Sequence, residues 1–306
     1  MTFYYNFAIV LALQKGYALM PKFLIRTLLV FSVCFAFAEN LQSNSFFANF
    51  TPTERAILKP DELKGFHFYS QKEKKSYKNN VFILCFHTFL GTGTSSLDFS
   101  HDEMRDIINQ ITDLGYTFVK LEDAVKGAIR GKNNVVITID DGNHSVYNAF
   151  FEVFKPLGIK PDLFIPPALI YHEKFYMKWD QLRTLQTEGC GIMAHGYSHR
   201  YVTPHAYKNN KRDALREIQK PAQYLTKELQ TWSNFMGYPY GVSATEIRVL
   251  TKEEGYTWAF NANEKIVPVN FEDPQLDHYA VPRTIIYRWN LKSVLQALKE
   301  HAKNPF

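Results

Sequence analysis

The 306-residue sequence is poor in cysteine, and it contains neither internal repeats nor low-complexity runs. No metal-binding spacing links its three cysteines. Cys85 and Cys190 lie in apolar, strand-like runs, which predict buried thiols rather than a disulfide. Neither sign of charge dominates, since 35 Lys and Arg residues stand against 30 Asp and Glu residues along the whole chain. A nucleic-acid site is therefore not expected, and with 46% hydrophobic residues the chain can bury a sizeable core.

The sequence also lacks a comfortable membrane span near its N-terminus, because the apolar stretch at residues 28–37 is too short. Lys22 and Arg26 precede this stretch, and the Ala-Phe-Ala run at residues 36–38 has the small-x-small pattern of a cleavage site. These features predict a secretory signal peptide that ends at residue 38. An uncleaved N-terminal anchor is the alternative.

The signal-peptide interpretation sets the organisation of the chain. Residues 1–38 become an upstream extension plus signal peptide, with the translation start at Met20. Residues 39–79 are polar and aromatic and indicate a leader or linker, and residues 80–306 form one folded domain. We therefore expect an exported protein of the periplasm, the cell surface or the medium. Membrane contact is then limited to the signal peptide or anchor.

Short apolar runs alternate with amphipathic stretches from residue 80 onward. The runs predict strands at residues 81–86, 117–119, 135–139, 162–165, 191–194, 233–236, 257–260 and 280–286. Such alternation predicts an α/β fold with a mostly parallel sheet covered by helices, either open or closed into a barrel. In these folds the chemistry gathers at the carboxyl ends of the strands.

Helix ends are marked by capping residues and glycines. Ser100 with Glu103, and Ser243 with Glu246, each match a capping box, and Asn290 can cap the last helix. Four glycines predict helix ends, at positions 115, 158, 189 and 255.

Two predicted strands end in chemically active residues. The run VVITI at residues 135–139 leads into Asp140, Asp141 and a glycine, where adjacent carboxylates need a cation or hydrogen bonds to offset their repulsion. The run GIMA at residues 191–194 leads into His195 and, four residues later, His199. Alone, the Asp-Asp-Gly run is also typical of an ordinary turn, and the histidine pair is also typical of surface residues. Together, two imidazoles and one carboxylate make a three-ligand metal site with a position open for water.

Three weaker candidates have structural alternatives. His87 lies at the end of the first strand, and a single histidine there is usually structural. Tyr240 lies in a Tyr-Pro-Tyr-Gly turn, and Arg283 follows a proline at the start of the last predicted strand. The arginine can orient a carboxylate through a bidentate pair or form an ordinary ion pair.

In this order, the Asp-Asp-Gly strand end and the His-x-x-x-His motif resemble the polysaccharide deacetylase family, also called carbohydrate esterase family 4 or the NodB homology domain. The resemblance covers about residues 80–298. It implies a distorted (β/α) barrel and an enzyme that removes N-acetyl groups from amino-sugar residues of a polysaccharide. It also implies a divalent metal ion, Zn²⁺ with Co²⁺ or Ni²⁺ as alternatives, and an N-acetylated glycan as the partner.

Residue roles follow from the same resemblance. Asp140 matches the general base, and Asp141, His195 and His199 match the metal ligands. The backbone N–H of Tyr240 matches a donor of the oxyanion hole.

One further residue matches the family's motifs, and the sequence departs from these motifs at two points. Arg283 matches the arginine that holds the catalytic aspartate. Gly237 stands where the third motif usually has arginine, and the usual late Leu-x-His motif is absent. Both departures resemble the branch that deacetylates poly-N-acetylglucosamine, in which the histidine acid comes from the first strand. His87 is the expected acid.

Other functions stay open from the sequence alone. The substrate can instead be peptidoglycan or a chitin-like oligomer. A catalytically decayed glycan-binding protein, an amide hydrolase acting on a small nitrogenous molecule and a two-His-one-carboxylate iron oxygenase are the further alternatives.

Overall fold

Parallel strands and helices alternate through the domain. The computed structural model describes residues 79–170 and 174–303, so the predicted signal peptide and nearly all of the leader lie outside it. Its strands are β1 (Val81–Phe86), β2 (Thr117–Phe118), β3 (Asn134–Asp140), β4 (Asp162–Ile165), β5 (Gly191–Ala194), β6 (Phe235–Gly237), β7 (Trp258–Phe260) and β8 (Thr284–Ile285). Its helices are α1 (His101–Asp113), α2 (Leu121–Val125), α3 (Ser145–Ala149), α4 (Trp179–Thr187), α5 (Pro204–Asn209), α6 (Lys211–Leu229), α7 (Thr245–Glu253) and α8 (Leu291–Lys303). A π-helical turn (Phe150–Phe154) continues α3, and a 3₁₀ turn (Pro239–Gly241) follows β6.

The strands form one curled sheet in the order β7-β6-β5-β4-β3-β1-β8, with β2 paired to β3. All of these strand pairs are parallel. Two isolated parallel bridges, Phe260 to Val281 and Asn263 to Thr284, join the two ends of the sheet. The predicted distorted (β/α) barrel is therefore confirmed.

The last strand is much shorter than the predicted run at residues 280–286. Three backbone N–H groups of this run donate to β7 and the residues that follow it, and they belong to Val281, Arg283 and Ile285. The N–H of Ile286 instead donates to the Cys85 carbonyl of β1. Pro282 has no N–H to offer on the β1 side. The ladder with β1 therefore begins only after the proline, at Thr284.

Alternation along each strand divides the core into two parts. Phe82, Leu84 and Phe86 of β1 pack between the sheet and the helices, whereas Val81 and Ile83 point into the barrel with the inner residues of the other strands. A strand places every second residue on the same face. The inner faces therefore continue from the apolar interior to the catalytic candidates at the carboxyl ends.

The helix starts agree with the predictions in part. Ser100 Oγ accepts from the Glu103 N–H (3.1 Å), and the Glu103 carboxylate accepts from the Ser100 N–H (2.8 Å), so this capping box is confirmed. The box predicted at Ser243 is wrong, because α7 begins at Thr245 with Ala244 as its cap residue. The Ser243 hydroxyl instead donates to Asn261 Oδ1 (2.9 Å).

Two further predictions concern the thiols and the last helix. Cys85 and Cys190 are free and buried, as predicted. Asn290 directly precedes α8, but its side-chain oxygen accepts from the Tyr287 N–H of the preceding turn rather than from the helix. Within the described part of the chain, no helix has the length and apolar character that crossing a membrane requires.

Candidate active site

The predicted site residues meet at the carboxyl edge of the barrel. Asp140 is the last residue of β3, and Asp141 follows it with a left-handed φ of 71°. His195 directly follows β5. His87 comes one residue after β1, and Arg283 directly precedes β8. The topology thus brings together residues that are far apart in the sequence.

A buried bidentate ion pair joins Asp140 to Arg283. The guanidinium donates to Asp140 Oδ1 over 2.6 Å and to Oδ2 over 2.8 Å. It also donates to Thr138 Oγ1 and lies over the Phe164 ring, 4.4 Å from the ring centroid. Burial alone would raise the pKa of Asp140, but Arg283, together with the nearby His195 and His87, outweighs this effect and the pKa is lowered. Asp140 is therefore ionised and held in one orientation.

Gly237 makes room for this arginine. A Cβ at this position would lie 2.7 Å from Phe164 and 3.2 Å from the Arg283 guanidinium. The residue also uses its backbone, because the Gly237 carbonyl lies 2.8 Å from His195 Nδ1. That contact makes Nδ1 the protonated nitrogen and leaves the Nε2 lone pair facing the site.

Asp141, His195 and His199 form a candidate metal site. One ligand atom from each lies within 4.8 Å of the others. His199 Nε2 is 3.0 Å and His195 Nε2 is 3.4 Å from Asp141 Oδ1. Burial opposes ionisation of Asp141, yet the two imidazoles beside it lower its pKa well below the usual value. An ionised carboxylate and two imidazoles are a donor set that suits a divalent transition metal.

Asp141 Oδ1 provides a test of this fit. The atom is buried, and none of the described residues gives it a well-aligned hydrogen bond. A buried carboxylate oxygen without a donor is costly. The residues present therefore fit a cation between them, which would satisfy the oxygen and both imidazole lone pairs.

His87 faces the same two aspartates. Burial lowers its pKa, and the opposing charges of Asp140 and Asp141 do not fully compensate. Its Nδ1 is buried and lacks a hydrogen-bond partner among the described residues. Atoms of His87, Asp140 and Cys85 lie within 4.8 Å of one another. His87 is therefore neutral at rest and must gain a proton before it can donate one.

Cys85 is a site residue that the sequence did not reveal as one. It was predicted only to be a buried thiol, although it lies two residues before His87 and therefore on the same face of β1. Burial, and after it the charge of Asp140, raises the pKa of the thiol well above its usual value. The thiol stays protonated beside the Asp140 carboxylate.

Tyr240 lies at the rim of the site. Its φ is 61°, its side chain is 63% exposed, and its ring centroid is 4.8 Å from that of His199. Tyr201 packs edge-on against it at 6.2 Å. The next residue, Gly241, fixes the turn because a Cβ there would lie 2.1 Å from the Ala262 carbonyl oxygen. The oxyanion-hole role of the Tyr240 N–H stays a prediction.

Comparison with known proteins agrees with this geometry. The family model described as polysaccharide deacetylase matches residues 128–259, a segment that contains both aspartates and both histidines of the site. The poly-beta-1,6-N-acetyl-D-glucosamine N-deacetylases of several Staphylococcus aureus strains are 24% identical over 167 residues, which cover 51% of this chain and 55% of the relative. The chain thus spans about half the length of these curated relatives.

Solved structures share the fold. IcaB from Ammonifex degensii superposes with a TM-score of 0.62 at 22% identity, over 72% of this chain and 97% of that one. The Streptococcus pyogenes deacetylase PplD, solved in complex with acetate, superposes with a TM-score of 0.61 at 18% identity, over 72% and 99% of the two chains. The resemblance to the polysaccharide deacetylase family, which the motifs predicted, is confirmed by these comparisons.

The Arg283–Asp140 pair yields a test of stability. Arg283→Met leaves a buried carboxylate without its cation, so we expect the free energy of unfolding to fall by about 3–5 kcal/mol. Adding Asp140→Asn should recover part of this loss, as urea unfolding of the double-mutant cycle will measure. Arg105→Met, which breaks the exposed pair with Asp102, should lose at most about 1 kcal/mol.

The same pair has a defined pH dependence. The pKa of Asp140 is lowered in the folded protein. The ionised carboxylate therefore contributes its full stabilisation of the fold at pH values above the pKa of an unfolded Asp, which is about 3.9. This stabilisation is lost as the pH falls through the lower folded pKa. If Arg283→Met lowered the free energy of unfolding at neutral pH no more than Arg105→Met does, Arg283 and Asp140 would not form a stabilising buried pair.

Proposed function

We propose that this protein is a metal-dependent hydrolase that removes N-acetyl groups from amino-sugar residues of a polysaccharide, most simply one like poly-N-acetylglucosamine. The proposal is carried by the convergence of Asp141, His195 and His199 within 4.8 Å, next to the buried Asp140–Arg283 pair. The names of the Staphylococcus aureus relatives support the substrate class. Peptidoglycan and chitin-like oligomers are the alternative substrates.

Each residue of the site has a chemical task in this proposal. A Zn²⁺ ion held by Asp141, His195 and His199 would act as a Lewis acid and lower the pKa of water toward about 7, and Co²⁺ or Ni²⁺ suits the same ligands. Asp140 is ionised by its contact with Arg283 and accepts the proton of the attacking water. The Tyr240 N–H donates to the carbonyl oxygen as negative charge develops there.

His87 would protonate the sugar amine as it leaves. An amine is a poor leaving group unless it is protonated, and His87 is neutral before the reaction because burial lowers its pKa. Its ring lies within 4.8 Å of Asp140. We infer that the proton taken up by Asp140 passes through His87 to the amine, so that one proton is moved and none is gained from outside.

Tyr287 and Trp289 provide a flat apolar surface for a neighbouring sugar. Ile285 pairs with Cys85 in the parallel ladder of β8 and β1. Tyr287 lies two residues after Ile285, and His87 lies two residues after Cys85, so both lie near the carboxyl edge of the sheet. The Tyr287 and Trp289 rings are stacked at 5.1 Å, and Trp289 is 60% exposed. The C–H faces of sugar rings pack well on exposed aromatic faces. The pair would therefore contact a glycan unit beside the reacting one.

Export and domain organisation belong to the same proposal. A glycan polymer of the cell envelope is reached outside the cytoplasm, which agrees with the signal peptide expected at residues 20–38. Residues 80–306 would then be the catalytic domain, and residues 39–79 the leader. Membrane contact would be limited to the signal peptide or to an uncleaved anchor.

Acetate release tests the function directly. We expect wild-type protein to release acetate from N-acetylglucosamine polymers and a chelator to abolish this activity. Asp140→Asn should reduce turnover at least about a hundredfold while metal stays bound, because a neutral amide cannot accept the proton. His195→Ala should lose the metal itself, as metal analysis will show. No acetate from any glycan, with metal bound, would instead indicate a glycan-binding protein.

His87→Ala tests the proposed acid. We expect turnover to fall by about a hundredfold with unchanged metal content, because His87 is not among the three ligands of the metal site. His101→Ala provides a matched control, since this histidine pairs with Glu152 on the surface. Turnover equal to that of the control would contradict the role given to His87.

Trp289→Ala tests the aromatic surface. We expect KM for N-acetylglucosamine oligomers to rise about two- to tenfold, the range of one aromatic contact, with little change in kcat because the reacting groups remain. Val249→Ala removes an exposed apolar side chain from α7 and should leave KM unchanged. An unaltered KM in Trp289→Ala would place the glycan elsewhere.

A further inference from the structure

The segment between the two candidate metal histidines has an unusual backbone. His195 is fixed by β5 and by the Gly237 carbonyl. His199 lies four residues further on, beyond the end of the strand, with a left-handed φ of 56°. Gly196 has a φ of 64°. The position of the His199 imidazole therefore depends on what holds residues 196–200 in this shape.

Glu217 of α6 holds residues 197–200 through hydrogen bonds. Its Oε2 accepts the backbone N–H groups of Tyr197 (3.1 Å), Ser198 (2.9 Å) and Arg200 (3.2 Å). Its Oε1 accepts the Ser198 hydroxyl over 2.5 Å. Glu217 is only 3% exposed. One buried carboxylate thus receives three hydrogen bonds from residues between the two histidines and a fourth from the residue directly after His199.

The fit between carboxylate and segment is tight. A Cβ at Gly196 would lie 3.1 Å from Glu217 Oε2 and 2.8 Å from Pro239. Backbone N–H groups that converge in this way form a site for an anion, and here the anion is a side chain of the same protein. Charge-assisted bonds of this kind are stronger than neutral ones. The carboxylate therefore sets the backbone path on both sides of the His199 ring.

We propose that Glu217 is a positioning residue of the metal site, which acts through residues 197–200 to place His199 opposite His195 and Asp141. It contacts no ligand atom, and it lies on a different element from every ligand. The inference rests on the proposed function in one respect, since it requires that the wild-type site bind a divalent ion. Loss of a group that orients metal ligands typically lowers metal affinity or activity about 10–100-fold.

Metal titration of the full chain tests this proposal. Glu217→Gln keeps the size of the side chain but replaces one acceptor oxygen with an NH₂ group that faces N–H donors. We expect the Kd for Zn²⁺, measured by calorimetry on metal-stripped protein, to rise about 10–100-fold. Glu217→Asp keeps the charge but loses reach, so it should weaken binding as well. Glu253→Gln, at an exposed position of α7, should bind like wild type.

Further readouts separate positioning from other roles. At saturating Zn²⁺, kcat of Glu217→Gln should return to within a few-fold of wild type, whereas loss of a proton-transferring group would persist. If Glu217→Gln does not fold, Ser198→Ala removes one of the four hydrogen bonds and should raise Kd about fivefold. An unchanged Kd in the folded variants overturns the inference. Absence of Zn²⁺ binding by wild type overturns the proposed function instead.

Discussion

The arrangement of the whole site depends on the ion pair between Asp140 and Arg283, which is buried inside the barrel. A carboxylate and a guanidinium in such a place must match each other in geometry, because either group alone would be a buried charge. Asp140 and Arg283 achieve this with two parallel hydrogen bonds. Phe164 provides the face on which the guanidinium rests, and Gly237 provides the space beside it. With Asp140 held inward in this way, the chain turns at Asp141 and directs the second carboxylate toward the histidines.

Buried carboxylates also hold the loops at the mouth of the barrel. Glu217 collects the N–H groups of the segment between the histidines. On the other side, Asp98 accepts the N–H groups of Leu90 (2.7 Å) and Thr92 (2.8 Å) in the loop that follows His87. Neither acid is a candidate ligand. Irregular backbone lacks the internal hydrogen bonds of a helix or strand, and these side chains supply the missing acceptors.

The sequence was sufficient to predict the parts of the site that follow directly from strand ends. Asp140 and His195 continue the inward-facing alternation of β3 and β5, so periodicity alone brings them to one edge. Apolar runs also located the strands, except where Pro282 shortens the last one. Cys85 could have been found by the same rule, because it shares a face with His87.

Other features depend on contacts that periodicity does not encode. Nothing near Glu217 in the sequence indicates that its carboxylate turns toward a segment 17 to 20 residues earlier. Ser243 matched a capping box, but Asn261, the residue directly after β7, accepts a hydrogen bond from its hydroxyl instead. Such choices are made by the packed structure, where local preference is only one of the competing interactions.

The two members of the central ion pair are 143 residues apart in the chain. During synthesis, Asp140 emerges well before its partner, and an unpaired carboxylate cannot enter an apolar interior without a large penalty. We therefore expect the inner face of the growing sheet to stay accessible to water until β8 is synthesised. Closure of the barrel and dehydration of its charged centre become one late event, and a chain cut short before Arg283 lacks the means to complete either.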